Sequence, residues 1–151
     1  MCIRDSESGT PMHSCWLSLF DESADCLLYL VHETIAKGRK LHLTEKSFKP
    51  ICLKMPFIIV GTCGSLRHLR SYGFKTFSDL WDESYDDEKD DVVRLERIGS
   101  LLRSLDELSV EGKQELFGTA QEIVEYNYNH FYNGGFEKAL ETELIAMLES
   151  I

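Results

Sequence analysis

The chain is short of positive charge. Its 16 Lys and Arg stand against 26 Asp and Glu, a formal net charge of −10. A surface of that sign repels a phosphate backbone, which argues against non-specific nucleic-acid binding. Long apolar runs are also missing, and none approaches the roughly 18 residues that a membrane-spanning helix needs. Of the five cysteines, Cys2, Cys15, Cys26, Cys52 and Cys63, none forms a CxxC pair. No structural zinc or other metal site is therefore expected, and the simplest compartment is a reducing cytoplasm. The strict nucleotide signatures are absent too: there is no GxGxxG and no phosphate loop ending in GK[ST]. His32-Glu33 lacks the second histidine of HExxH, because residue 36 is alanine. The acidic run 79–91 lacks the glycine at the sixth position of a calcium loop.

What is present is enough apolar residue, 43% of the chain, to build one packed domain or a sizeable part of one. The first residues read differently from the rest. Met1-Cys2-Ile3-Arg4-Asp5 back-translates to the end of a transposase adapter used in sequencing libraries, and Ser6 fits its trailing bases. Residues 1–6 are expected to be an assembly scar and the chain a fragment that lacks its own N-terminal portion. Residues 7–24 read as a poorly ordered segment, with a short apolar stretch from Trp16 to Phe20.

Residues 25–92 read as an α/β segment. Residues 25–35 are rich in Leu, Val and Tyr and predict a strand. A basic loop, 36–40, follows. Thr44 is placed to N-cap a helix, with Glu45 in its first turn where a carboxylate suits the dipole. Pro50 should kink that helix, and Pro56 should end it by residue 55. Phe57 to Val60, an apolar run between Pro56 and Gly61, predicts a buried strand of a parallel sheet. Gly61 to Ser65 is a turn into a helix that Gly73 terminates, and residues 74–77 are a short strand or extended segment. Two strand–helix units in succession point to an α/β sheet. The acidic run 79–91 reads as a solvated loop anchored by Trp81 and Tyr85. Residues 93–151 predict three helices. The first has Leu95, Ile98, Leu102 and Leu105 inward. The second buries Leu116, Ala120, Ile123, Val124 and Phe131, and the third Leu140, Leu144 and Leu148.

Two places could meet an anionic ligand. At the first, Lys46 and Lys49 follow the Thr44 cap, where exposed amides, the positive helix end and a lysine favour a phosphate, and Glu45 could accept from ribose hydroxyls. The plainer alternative is a capped helix with solvated charges. At the second, Gly61, Gly64 and Ser65 open a helix after a strand, which is phosphate-cradle geometry or simply a tight turn. Glu33 sits at the carboxyl end of the first strand, where ligands of open α/β sheets bind. Arg67, Arg70, Arg94 and Arg97 are expected to pair with nearby acids, and Asn127, Asn129 and His130 to make buried polar contacts.

The segment LTEKSFKPI…MPFIIVG resembles the C-terminal nucleotide-sugar-binding region of fucosyltransferase-like glycosyltransferases. Thr44, Glu45, Lys46, Phe48, Pro56 and Gly61 are the matching positions. The family's preceding strand ends in Glu-Asn; Glu33 matches the acid and Thr34 stands for the Asn. Leu43 or His42 stands where the family has an aromatic residue. Residues 32–129 are also similar to glycosyltransferase-like proteins of bacteria and large phages, through TEKxFKP, PFIIVG, GSLxxL, GFKTF, DESYD and NxxHF. The resemblance implies the later part of a Rossmann-like domain, the C-terminal half of a two-domain GT-B architecture, followed by closing helices. It implies Glu45 on the ribose and Lys46 on the diphosphate of a nucleotide-sugar donor, with a glycan acceptor and no further cofactor. The catalytic base would come from an N-terminal domain absent from this chain. Alternative readings are a non-catalytic α/β interaction module of phage or bacterial origin, or a phosphate-binding regulatory domain.

Overall fold

A computed structural model describes residues 23, 26–38 and 40–150. The expectations for residues 1–6 and for the Trp16 to Phe20 stretch lie outside the described residues, as does that for 7–24 apart from Ser23. The described chain is α/β and mostly helical. Its order is β1 (Tyr29–His32), α1 (Glu45–Cys52), β2 (Phe57–Val60), α2 (Ser65–Ser71), a 3-10 turn (Ser84–Asp87), α3 (Asp91–Asp106), α4 (Val110–Tyr132) and α5 (Gly135–Glu149). The two strands form a parallel pair, with Tyr29 opposite Phe57 and His32 opposite Val60. Helix α1 is the crossover that a parallel pair requires.

Strand β1 is shorter than the predicted 25–35. Its ladder ends where the Glu33 N–H donates to Val60 O at 3.0 Å, because the Glu33 side chain turns inward to hold α1. Strand β2 matches its prediction, and all its residues are buried. Residues 74–77 form no strand, yet Phe74, Thr76 and Phe77 are buried. Phe77 meets Phe57 edge-on at 5.1 Å and stacks on Trp81 at 4.7 Å. Ring pairs of this kind add about 0.5–1.5 kcal/mol each beyond their buried area. They tie the acidic segment to the sheet, so Trp81 and Tyr85 are anchors as expected.

Helix α1 runs through Pro50 and stops at Cys52. Its end is a double backbone cap. Lys54 N donates to Ile51 O at 3.2 Å and Met55 N to Pro50 O at 2.8 Å, with Lys54 in the left-handed region at φ 53°. These two bonds use the last carbonyls of the helix before Pro56.

The helical faces differ from the predicted ones. In α3 the buried residues are Arg94, Ile98, Leu101 and Leu105, whereas Leu95 is exposed and Leu102 only half-buried. The face is turned because Arg94 is drawn inside by backbone carbonyls. In α4 Phe117, Ala120, Val124 and Asn127 are buried. Asn127 holds residue 75 at two points, accepting from Lys75 N at 2.8 Å and donating to Lys75 O at 2.9 Å. His130 Nε2 bonds the carbonyl of Tyr72 at 2.7 Å, so it and Asn127 make the expected polar contacts, whereas Asn129 is exposed. Helix α5 has no buried residue. Leu140, Leu144 and Leu148 keep the predicted period, but nothing among the described residues covers them.

Candidate functional site

The carboxyl ends of β1 and β2 lie side by side, and most of the candidate residues gather there. Alternation along β1 sends Val31 and Glu33 inward and His32 out. Glu33 is fully buried beneath the start of α1. Its Oε1 accepts from Thr44 N at 3.0 Å and Ser47 Oγ at 2.6 Å, and its Oε2 from Thr44 Oγ1 at 2.7 Å. The same Thr44 hydroxyl accepts from Lys46 N at 3.3 Å. The predicted N-cap is therefore real, and it is itself held by a carboxylate at the positive end of the helix. Burial pushes the Glu33 carboxyl up. The hydrogen bonds from Ser47, Thr44 and the Thr34 backbone outweigh it and leave the group below the ordinary glutamate value.

Glu33 is thus a positioning residue. Its oxygens are taken up by its own chain, which corrects its reading as a ligand contact. Thr44 serves the same anchor. Lys46 extends from this fixed start to the sheet edge, where its ammonium donates to Thr34 Oγ1 at 3.0 Å and Glu45 Oε1 at 3.2 Å. Glu45 is exposed and sits below its usual value. Its own backbone N–H is the largest cause, then the bond from Lys46, with the charges of Lys46 and Lys49 adding. Lys49 is half-buried on the last turn of α1.

The second candidate place is filled from within. Gly64 takes φ 87° at the start of α2, and its N–H donates to Asp86 O at 2.7 Å. The next free amides, Leu66 N and Arg67 N, donate to the Asp86 carboxylate at 2.8 and 3.0 Å. Asp86 is buried and occupies the place a phosphate would take. Ser65 Oγ donates to Thr62 O at 2.7 Å. A side chain at Gly61 would put its Cβ 2.5 Å from that hydroxyl oxygen. Gly61, Gly64 and Ser65 therefore build a tight turn closed by Asp86, and the cradle reading is corrected.

Arg94 binds the whole edge together. Just past the end of β2, Arg94 Nε donates to Gly61 O at 3.0 Å. Its Nη1 donates to Glu88 O at 2.8 Å, and its Nη2 to Ala36 O at 2.9 Å and Asp91 Oδ1 at 2.5 Å. The three other arginines expected to pair also find acids: Arg67 pairs with Asp87, Arg70 with Glu83 at 3.1 Å, and Arg97 with Glu88 at 2.8 Å. Glu83 differs from Glu33. Burial holds its carboxyl above the usual value despite bonds from Thr76, the Phe77 N–H and the charge of Arg70. The acidic run is thus only partly solvated, since Glu83 and Asp86 are structural acids inside it.

Sequence reasoning missed Ser47, Asp86 and the bridging role of Arg94. Asp86 sits beside the anchoring Tyr85 in an acidic run, and nothing local sets it apart from its neighbours. Arg94 carries no local signal, because its partners are carbonyls far along the chain.

Two clefts lie elsewhere. One of about 550 Å³ includes Arg70, Lys75 and Thr119, and one of about 760 Å³ includes Trp81, Leu101 and Leu105. None of the candidate residues lines either. The side chains of Lys46 and Glu45 are 38% and 59% exposed and Thr34 is exposed, so the three form an open edge. Among the described residues no cluster of three or more His, Cys, Asp or Glu could hold a metal ion, and no helix is long and apolar enough to cross a membrane. Comparison with protein-family models, curated proteins and solved structures finds no match.

Proposed function

We propose that this chain is the nucleotide-sugar-binding part of a glycosyltransferase-like protein, the later portion of a Rossmann-like GT-B half. The observation that carries the reading is the fixed position of Lys46. Its ammonium lies at the carboxyl edge of a parallel strand pair, beside Thr34, on a helix start that Glu33 locks in place. Ligands of open α/β sheets bind at that edge. In this reading Lys46 neutralises charge that builds up on the leaving diphosphate during transfer, the kind of preorganised electrostatic help that lowers such barriers most. Glu45 accepts from the ribose hydroxyls. The glycan acceptor and the catalytic base lie with a facing domain.

The sites at Gly61, Gly64 and Ser65 contribute shape to this edge and no amides to the phosphate. A second reading, an α/β interaction module without a nucleotide, is favoured by one observation: Asp86 already fills the N-terminus of α2.

Calorimetry with uridine and guanosine diphosphates separates the two. Lys46→Ala is expected to weaken binding about tenfold or more, since a charge-assisted hydrogen bond is worth roughly 1.5–3 kcal/mol. Lys75→Ala, remote from the edge, should leave it unchanged. No binding at all supports the interaction module, and equal affinity of wild type and Lys46→Ala would place any binding away from Lys46 and contradict the role given to it.

A further inference from the structure

Helix α5 leaves the core partway along its length. Its start is pinned by Phe136, whose ring lies 5.0 Å from Phe48 and 5.2 Å from Phe74. On its side nearest the body, Glu143 accepts from the Tyr72 hydroxyl at 2.9 Å. Beside these contacts an apolar stripe is left bare. Leu140, Leu144, Met147 and Leu148 are between 42% and 63% exposed. Leu140, Leu144 and Met147 follow the alternating four-and-three spacing of a helix–helix seam, and Leu148 flanks it. A continuous apolar seam on a helix surface marks an interaction site rather than scattered surface residues.

Charge says what kind of partner fits. Glu137 and Glu141 stand four residues apart, interleaved with Leu140 and Leu144, and both are exposed. Lys138 is the one cation within α5. A second copy of this helix would set the carboxylates of one seam against those of the other, and like charges at such positions destabilise a helix pair. The net charge of −10 on the chain acts in the same direction. An anionic lipid surface is repelled for the same reason.

We propose that the exposed face of α5 docks a basic amphipathic helix of a partner protein. Its apolar residues pack on Leu140, Leu144, Met147 and Leu148, and its Lys or Arg side chains meet Glu137 and Glu141. The mode is helix against helix, read through three-and-four-spaced anchors. It is separate from the nucleotide edge and does not depend on it.

The test uses the 151-residue chain and a fluorescent designed peptide of about three heptads, with Leu at the seam positions and Lys flanking them. A twin peptide carries Glu for Lys. Anisotropy is measured in about 0.15 M salt, where long-range attraction is screened. The Lys peptide should bind and the Glu twin should not. Leu144→Gln/Leu148→Gln and Glu137→Gln/Glu141→Gln should each weaken the Lys peptide about tenfold, as loss of central anchors does. These positions are exposed, so circular dichroism should be unchanged. Equal binding by all variants would mean that bulk acidity alone attracts the peptide, which overturns the proposal. Sedimentation as a dimer that Leu144→Gln/Leu148→Gln dissolves would assign the face to a second copy instead, and uptake onto zwitterionic vesicles would assign it to lipid.

Discussion

Arg94→Ala is expected to lower the unfolding free energy by about 3–5 kcal/mol, the range seen when one partner of a buried ionic network is removed. The cause is what the guanidinium leaves behind. Arg94 is 2% exposed, and it satisfies three carbonyls from separate parts of the chain, those of Ala36, Gly61 and Glu88. The Gly61 carbonyl would be buried without a donor at a cost of roughly 1–3 kcal/mol, and the half-buried carbonyls of Ala36 and Glu88 would lose theirs at a lower cost where water can enter. Arg94→Lys should recover little. An ammonium is a compact charge and cannot direct donors along the fork that these carbonyls need. Urea denaturation followed by circular dichroism measures both. A loss below about 1 kcal/mol, the scale of a surface ion pair, would mean that Asp91 is the only partner of consequence.

Glu33→Gln should destabilise by about 2–4 kcal/mol, because several charge-assisted hydrogen bonds are replaced by weaker ones and the new amide N–H₂ faces donors. Thr44 and Ser47 both point hydrogens at this carboxylate, and an amide can accept from only one of its two ends. The substitution also carries a pH signature. The folded-state pKa of Glu33 is depressed. Its contribution is therefore present above the unfolded value and lost as pH falls through the folded one. Glu83 is raised and acts with the opposite sign, favouring the folded state at low pH and losing that contribution as pH rises. The informative quantity is the stability difference between wild type and Glu33→Gln, in which Glu83 cancels. That gap should shrink as pH is lowered through the acid range. A gap that stays constant or widens would contradict the anchoring role. With the anchor loosened, Lys46 should also lose its fixed position, so nucleotide binding should weaken alongside stability.

Local chemistry made β2, the Thr44 cap and the strand–helix order legible. An apolar run between Pro56 and Gly61 has few alternatives, and a threonine ahead of Glu45 has an obvious role. The pairing of Asn127 and His130 with backbone was also within reach, since polar residues on an apolar helix face must be satisfied. What could not be read were the partners chosen across distance. Asp86 and an incoming phosphate are equivalent to the amides of Leu66 and Arg67, and only the fold decides which of them sits there. Arg94 looks like any surface arginine on α3 until the carbonyls of Ala36 and Gly61 are brought around it. The α5 stripe shows the converse case. Its period was visible, but periodicity records that a face is apolar and not what covers it.

The open edge formed by Thr34, Glu45 and Lys46 is the proposed place of the nucleotide. Its most direct test is a nuclear magnetic resonance titration of the isotopically labelled chain with uridine or guanosine diphosphate. The amides of Thr34, Glu45 and Lys46 should shift in a saturable way, those of Leu66 and Arg67 should move little because Asp86 holds them, and Lys46→Ala should abolish the response. Shifts confined to Arg70, Lys75 and Thr119, or no shifts at a saturating nucleotide concentration, would contradict it.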